Sequence, residues 1–105
     1  RLSGLPNVIN HLTYSKDGRY LAAGLGRNNG IRVYRIDDYS LIKEDKDYED
    51  SVYGLDFSND GRLATTSLDS YIRLYDKNFK LIFSKKFRKL PKTNNKKLET
   101  HSKTL

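Results

Sequence analysis

The chain contains no cysteine, no tryptophan and no methionine, and only two prolines, among its 105 residues. The absence of cysteine excludes disulfide bonds and thiolate metal sites, which fits a cytoplasmic protein. No apolar run approaches the roughly 20 residues that a membrane-spanning helix needs. Residues 1–7 also lack the hydrophobic stretch of a secretion signal. Position 1 is Arg rather than Met, which favours a piece of a longer protein or a trimmed start.

Positive charge is concentrated near the C-terminal end. Residues 1–76 carry ten basic and twelve acidic side chains, a net charge of −2, whereas residues 77–105 carry ten basic and one acidic, a net charge of +9. Residues 88–105 are polar and basic, and we predict a disordered tail there. Together with Phe83 and Phe87 the basic residues suit either nucleic acid, through phosphate contacts and stacking, or an anionic membrane. A solvated tail without a partner fits the same composition.

The most informative feature is an internal repeat. Residues 55–62 repeat residues 12–19 at a spacing of 43, and the likeness continues at spacings of 42, 41 and 40 until residues 81–82, which match residues 41–42. A period in the low forties is typical of four-stranded propeller blades and of two-helix repeats.

The pattern inside each copy favours strands over helices. Residues 53–57 alternate apolar and other residues at a period of two, as a half-buried strand does. Asp17-Gly18 and Asp60-Gly61 follow the first strand of each copy and predict tight turns, because glycine supplies the positive φ that such turns need. The other predicted strands are residues 19–24, 31–36 and 41–46 in the first copy, and residues 62–67, 71–75 and 80–84 in the second.

These motifs resemble two consecutive WD-repeats. Residues 57–61 (Phe-Ser-Asn-Asp-Gly) resemble the family's Phe-Ser-Pro-Asp-Gly, and residues 69–76 resemble its Asp-Gly-Thr-Ile-Arg-Leu-Trp-Asp; residues 14–18 and 30–35 match the same motifs in the first copy. The resemblance covers about residues 8–84. It implies an all-β protein, with two four-stranded antiparallel blades of an incomplete WD-repeat β-propeller.

On this basis the chain divides into a lead-in at residues 1–7, a first blade at 8–46, a second blade at 47–87 and a basic tail at 88–105. The residues that carry the repeat signature are Asp17, Gly18, Tyr34, Asp60, Gly61, Tyr75 and Asp76.

The chain also departs from the family pattern. Tyr75 replaces the tryptophan of the second copy, and Tyr48 stands where that copy would carry the family's histidine. The family's hydrogen-bond network of histidine, serine or threonine, tryptophan and aspartate is therefore predicted to be incomplete. Asp69 and either Thr65 or Ser67 remain as candidate members, and the Tyr75 hydroxyl is a candidate donor.

The resemblance implies a non-catalytic scaffold that holds other proteins, with no catalytic, cofactor-binding or metal-binding residues. The glycine-rich residues 24–30 lack the third glycine of a dinucleotide fingerprint, and the acidic residues 44–50 lack the order of a calcium loop. In WD-repeats the loops after the second strand and before the first strand share one rim of the ring. The predicted partner-binding residues are accordingly Arg27, Asn28, Asn29, Tyr48, Glu49, Asp50 and Asp69.

Two blades do not close a ring. Propellers generally have about four to eight blades, and repeat arrays need about three units to cover their apolar faces. We therefore expect further blades, either from a longer chain or from a homo-oligomer. Two other functions stay open: binding of nucleic acid or an anionic membrane through the basic tail, and a sensor role within a larger enzyme.

Overall fold

The computed structural model describes residues 8–87, and it contains two four-stranded antiparallel sheets that follow each other along the chain. The first sheet has the strand order β1-β2-β3-β4 and the second β5-β6-β7-β8. The strands are β1 (Ile9–Tyr14), β2 (Tyr20–Leu25), β3 (Ile31–Arg35), β4 (Leu41–Asp45), β5 (Val52–Phe57), β6 (Leu63–Ser67), β7 (Tyr71–Tyr75) and β8 (Leu81–Lys86). The all-β prediction, with four antiparallel strands in each repeat, is confirmed.

The first turn of each sheet forms as its Asp-Gly pair predicts. In the β1–β2 turn the hydroxyl of Ser15 donates a hydrogen bond to Asp17 at 2.6 Å, and Gly18 has a φ of 75°. This hydroxyl, together with the backbone N–H of Arg19, lowers the pKa of Asp17. The β5–β6 turn repeats the arrangement with Ser58, Asp60 and Gly61. A serine two residues before the aspartate therefore stabilises the carboxylate in both copies.

The two sheets pack face to face, with the edge strand β5 of the second sheet against β1 and β2 of the first. The buried cluster between them joins Ala22, Ile31 and Val33 of the first sheet with Tyr48, Val52, Leu55, Phe57, Leu63, Tyr75 and Phe79 of the second. The rings of Tyr20 and Phe79 meet edge to face at 5.1 Å between centroids. We call this contact the central interface.

Each sheet has a second face that points away from the central interface. On the first sheet this upstream flank exposes 51% of Leu12 and 64% of Tyr14, whereas their repeat equivalents Leu55 and Phe57 are 6% and 2% exposed. The downstream flank belongs to the second sheet. There Ile72 and Leu74 are half-buried, although Ile31 and Val33, their equivalents in the central interface, are fully buried. The two flanks thus correspond to the two halves of a blade-to-blade contact.

The last strand extends further than its sequence pattern predicts. Strand β8 continues to Lys86, two residues beyond the predicted end at Ser84, because Lys86 still pairs with Tyr71 of β7. Within residues 8–87 no helix is long and apolar enough to cross a membrane. The predicted lead-in at residues 1–7 and the predicted basic tail at residues 88–105 lie outside the described residues.

Candidate interaction rim

Two loops meet at one end of the sheets. The turn between β2 and β3 contains Arg27, whose backbone N–H donates to the Ser51 hydroxyl in the connection between β4 and β5, at 2.6 Å. Arg27 has a φ of 58°, a left-handed conformation that is uncommon outside glycine. The two segments predicted to share a rim are therefore linked by a direct hydrogen bond.

The residues of these loops differ in their availability. Arg27, Asn28 and Glu49 are exposed. Asn29 is half-buried, and its side-chain amide donates to the Gly26 carbonyl at 2.9 Å, which closes the turn on itself. Asp50 is also half-buried, and its carboxylate accepts the backbone N–H of Ser51 at 2.7 Å. Among the predicted rim residues, the accessible side chains are thus one cation, one amide and one carboxylate, bordered by two residues that shape the loops. The β4–β5 connection also exposes Lys46 and Asp47.

Tyr48 does not belong to this accessible surface, although sequence reasoning placed it there. Its side chain is buried at 3% exposure, and its hydroxyl lies 2.9 Å from the Thr65 hydroxyl and 2.7 Å from the Tyr75 hydroxyl. The Tyr75 hydroxyl in turn donates to Asp45 of the first sheet at 2.6 Å. Since the single hydroxyl proton of Tyr75 is used in the hydrogen bond to Asp45, Tyr48 donates to Tyr75 and Thr65 donates to Tyr48. A chain of three hydroxyl groups therefore ends on one carboxylate.

This network takes the place of the one that the sequence predicts to be incomplete. Burial raises the pKa of Tyr48. Burial, with the nearby Tyr48 and Asp45, raises the pKa of Tyr75. Both phenols therefore stay protonated at neutral pH and act as hydrogen-bond donors. In the first sheet Ala23 occupies the position of Thr65, so the first copy lacks the hydroxyl that begins the chain.

Asp69 is likewise a structural residue instead of a rim contact. Its side chain is 1% exposed and pairs with Arg73 at 2.9 Å, and its carboxylate also accepts the backbone N–H groups of Tyr71 and Glu49. Burial opposes the charge, but these hydrogen bonds outweigh it and lower the pKa of Asp69. The guanidinium of Arg73 lies 3.8 Å from the ring centroid of Tyr48. Asp69 thus links the β6–β7 turn, in which it lies, to Arg73 on β7 and to Glu49 in the β4–β5 connection.

The position of Tyr48 contained a signal that sequence reasoning did not use. A residue at the family's histidine position is expected to point into the blade, and Tyr48 does so with a hydroxyl in place of an imidazole. In the first sheet Arg32, the equivalent of Arg73, pairs instead with Glu44 of the neighbouring strand at 3.1 Å. The two copies therefore stabilise the same strand with different carboxylates.

The opposite end of the sheets holds a cleft of about 360 Å³ between the β1–β2, β5–β6 and β7–β8 turns. Its lining mixes cations and carboxylates, among them Lys16, Lys77, Asp17 and Asp60. Asp17 and Asp60 are already engaged by serines of their own turns. Among residues 8–87 no group of His, Cys, Asp and Glu side chains has the arrangement of a metal site.

Two successive four-stranded antiparallel sheets that pack face to face are the arrangement of neighbouring blades in the β-propeller class of protein. The sequence profile of the WD40 family, described as "WD domain, G-beta repeat", matches residues 2–35 and 40–76. The chain therefore belongs to the WD40 family, whose propellers are generally non-catalytic scaffolds for protein interaction. The resemblance recognised from the sequence is confirmed.

Solved structures with similar folds are WD40 propellers. "Structure of U3-55K" superposes with a TM-score of 0.66 at 21% identity, over 74% of this chain and 24% of that one. "Crystal structure of RRP9 WD40 repeats" gives 0.65 at 22%, over 72% and 23%. A chain in "Crystal Structure of Mitotic Checkpoint Complex" gives 0.67 at 20%, over 76% and 24%. The described protein thus spans about a quarter of each of these chains, and no curated protein matches it.

Proposed function

We propose that the chain is a non-catalytic scaffold segment of a larger WD-repeat propeller, and that it binds another protein through the rim formed by the β2–β3 turn and the β4–β5 connection. The observation that carries this proposal is the hydrogen bond from the Arg27 N–H to Ser51, which fixes two exposed loops side by side. Loops held on a rigid sheet scaffold are the usual place for binding residues.

The chemistry of the rim narrows the kind of partner. Arg27 and Asn28 project from one loop and Glu49 from the other, so the surface offers both a guanidinium and a carboxylate. Such a mixed polar rim suits a protein segment that carries charges of both signs. We also propose that the protein acts in the cytoplasm, a localisation that imaging of a tagged full-length protein tests.

The experiment compares partner capture by the full chain and two rim variants. Arg27→Ala/Asn28→Ala removes the two exposed side chains of one loop, and Glu49→Ala removes one exposed carboxylate of the other loop. A matched control, Lys16→Ala/Lys77→Ala, changes exposed residues at the opposite end of the sheets. We expect both rim variants to reduce capture of the same partner and the control to retain it. Equal capture by all four proteins contradicts the rim assignment.

The open flanks support the second part of the proposal, that further blades complete the ring. Leu12 and Tyr14 are exposed where Leu55 and Phe57 are buried, so the upstream flank presents the surface that a neighbouring blade covers in the central interface. Residues of a longer chain are the occupant that this continuity favours. Extending the open reading frame on both sides tests it, because the proposal requires additional repeats.

A further inference from the structure

The central interface shows what the first sheet must provide for another sheet to dock. Its apolar centre is Ala22, Ile31 and Val33. Beside that centre lies Gly24, where an added Cβ would stand 3.0 Å from Cγ1 and 3.2 Å from the carbonyl oxygen of Val52. Val52 belongs to the docked sheet, so a side chain at position 24 would require its strand to shift by a few tenths of an ångström.

The outer end of the same face provides an acceptor. Asp45 lies opposite Ile31 in the ladder between β3 and β4, and its carboxylate accepts a hydrogen bond from the Tyr75 hydroxyl across the interface at 2.6 Å. The first sheet therefore offers three features: an apolar centre, a glycine without a side chain at position 24, and the carboxylate of Asp45. A sheet that docks on it offers an apolar face, a strand that passes close to the glycine, and a hydroxyl group for the carboxylate.

The downstream flank keeps only the first of these three features. Ala64, Ile72 and Leu74 are the repeat equivalents of the apolar centre, and Phe83 lies opposite Leu74 at 50% exposure. This apolar patch is suited to cover by another sheet, as its equivalents are covered in the central interface.

Thr66 stands at the position of Gly24. It pairs with Gly54 and Ile72 in the ladders, as Gly24 pairs with His11 and Ile31, and its side chain is exposed. A Cβ at this position already requires the strand that Val52 represents to shift by a few tenths of an ångström, and threonine adds two more heavy atoms. A sheet with the geometry of the second sheet therefore has to shift outward to dock on the downstream flank.

Lys85 stands at the position of Asp45, since it lies opposite Ile72 as Asp45 lies opposite Ile31. The acceptor of the central interface is thus replaced by an exposed ammonium group. The carboxylate that this flank carries, Asp56, is on β5, at the opposite edge of the sheet from Lys85. The carboxylate of Asp60, in the turn that follows β5, is already paired with Arg62 at 3.1 Å. Asp45 is half-buried in the central interface, so a docked sheet takes an ammonium group at this position partly out of water, where a carboxylate from the docking partner stabilises it.

A second copy of the chain does not supply that carboxylate. Its upstream flank presents Tyr34, the equivalent of Tyr75, at the place that faces Lys85. Glu44 of that flank lies on the outer strand β4 and is engaged by Arg32 and by Lys46. It also presents Ile9, the equivalent of Val52, toward Thr66. Both contacts are therefore mismatched between identical copies.

Resting on the proposed scaffold function, we propose that the downstream flank docks a four-stranded blade that places a carboxylate opposite Lys85, and that Thr66 and Lys85 exclude a second copy of this chain. These two residues act as specificity determinants of blade order. The apolar residues of the downstream flank supply the area that a docking blade buries, and the charge of Lys85 selects which blade docks there.

The test makes the two flanks of the full chain match and measures head-to-tail self-association by sedimentation velocity over a range of concentrations. All variants carry Thr66→Gly. Adding Lys85→Asp recreates the Tyr–Asp pair of the central interface, whereas adding Tyr34→Glu gives Lys85 its carboxylate. We expect each addition to lower the dissociation constant about tenfold relative to Thr66→Gly alone. The triple variant Thr66→Gly/Lys85→Asp/Tyr34→Glu places a carboxylate on each flank, opposite the other, and is expected to lose the gain in affinity of both double variants.

Two controls keep the result specific. Thr66→Gly/Lys86→Asp moves the same charge change to the neighbouring residue, which points to the other face, and is expected to gain nothing. Tyr14→Arg on the upstream flank is expected to abolish the gain, as head-to-tail contact requires. Circular dichroism verifies folding, and if Tyr34→Glu does not fold, the comparison of Lys85→Asp with Lys86→Asp decides.

Equal association of wild type and matched variants overturns the assignment of Thr66 and Lys85, as does a gain that survives Tyr14→Arg. Partner capture by the rim does not use these residues. A negative result in the self-association experiment therefore leaves the scaffold proposal standing. A negative result in the partner-capture experiment likewise leaves the self-association result valid.

Discussion

The Tyr75 hydroxyl donates a 2.6 Å hydrogen bond to the Asp45 carboxylate, and this bond joins the second sheet to the first. Tyr75 is fully buried, so neither water nor an alternative side chain replaces the contact easily. The bond also orders the hydroxyl chain behind it, since Tyr48 can donate to Tyr75 only while the Tyr75 proton points to Asp45.

Replacing Tyr75 by Phe is expected to destabilise the chain by about 1–2 kcal/mol, because it removes one buried hydrogen bond and leaves the Tyr48 hydroxyl without its acceptor. Urea unfolding monitored by circular dichroism measures the change. The control is Tyr53→Phe, which removes the hydroxyl of a tyrosine that is 52% exposed. Equal stability of the two variants contradicts a structural role for the hydroxyl chain.

Gly24 provides a second test of the central interface. A Cβ at this position is 3.2 Å from the carbonyl oxygen of Val52, and a backbone atom cannot move aside as a side chain does. Gly24→Ala is therefore expected to cost about 1–3 kcal/mol through overpacking. The matched control is Thr66→Ala at the equivalent exposed position of the second sheet, which is expected to change stability by less than about 1 kcal/mol. A similar effect at both positions argues against close packing of the sheets.

Much of the fold follows from local sequence pattern. The Asp17-Gly18 and Asp60-Gly61 turns and the alternation in residues 53–57 depend on neighbouring residues, so one copy of the repeat already predicts them. The end of β8 was less predictable, because Lys85 and Lys86 continue the strand through pairing with β7 and not through apolar alternation.

The candidate site was predictable only in part. Repeat alignment brings the Arg27 and Glu49 loops together, since it requires only the order of strands. The burial of Tyr48 depends on hydroxyl groups from positions 65 and 75, which lie 17 and 27 residues further along the chain and meet it only after β6 and β7 form the second sheet. Similarly, the sequence alone gives Asp69 the character of a polar turn residue. Its ion pair with Arg73 can be recognised only once the path of β7 is known.

The Asp69–Arg73 pair supports a prediction of how much stability the loss of a buried ion pair costs. The side chains are 1% and 8% exposed, so Asp69→Ala leaves a buried guanidinium without its carboxylate. We expect a loss of about 3 kcal/mol in the free energy of unfolding. Asp60→Ala removes the partner of Arg62 in an exposed pair, together with the Ser58 hydrogen bond of the same exposed turn, and is expected to cost less than Asp69→Ala. If both substitutions cost the same, the Asp69–Arg73 pair does not stabilise the second sheet.

The same pair gives a pH dependence whose sign follows from the lowered pKa of Asp69. A carboxyl group that binds its proton less tightly in the folded state contributes stability above its unfolded pKa of 3.8, and that contribution is lost as the pH falls through the lower, folded-state pKa. The stability gap between wild type and Asp69→Ala is therefore expected to stay constant from neutral pH down to about one unit above the unfolded value, and to narrow in stronger acid. Urea unfolding at a series of pH values measures the gap. A gap that widens in acid contradicts the ion pair, because protonation of Asp69 removes in the wild type the same charge that the alanine variant lacks.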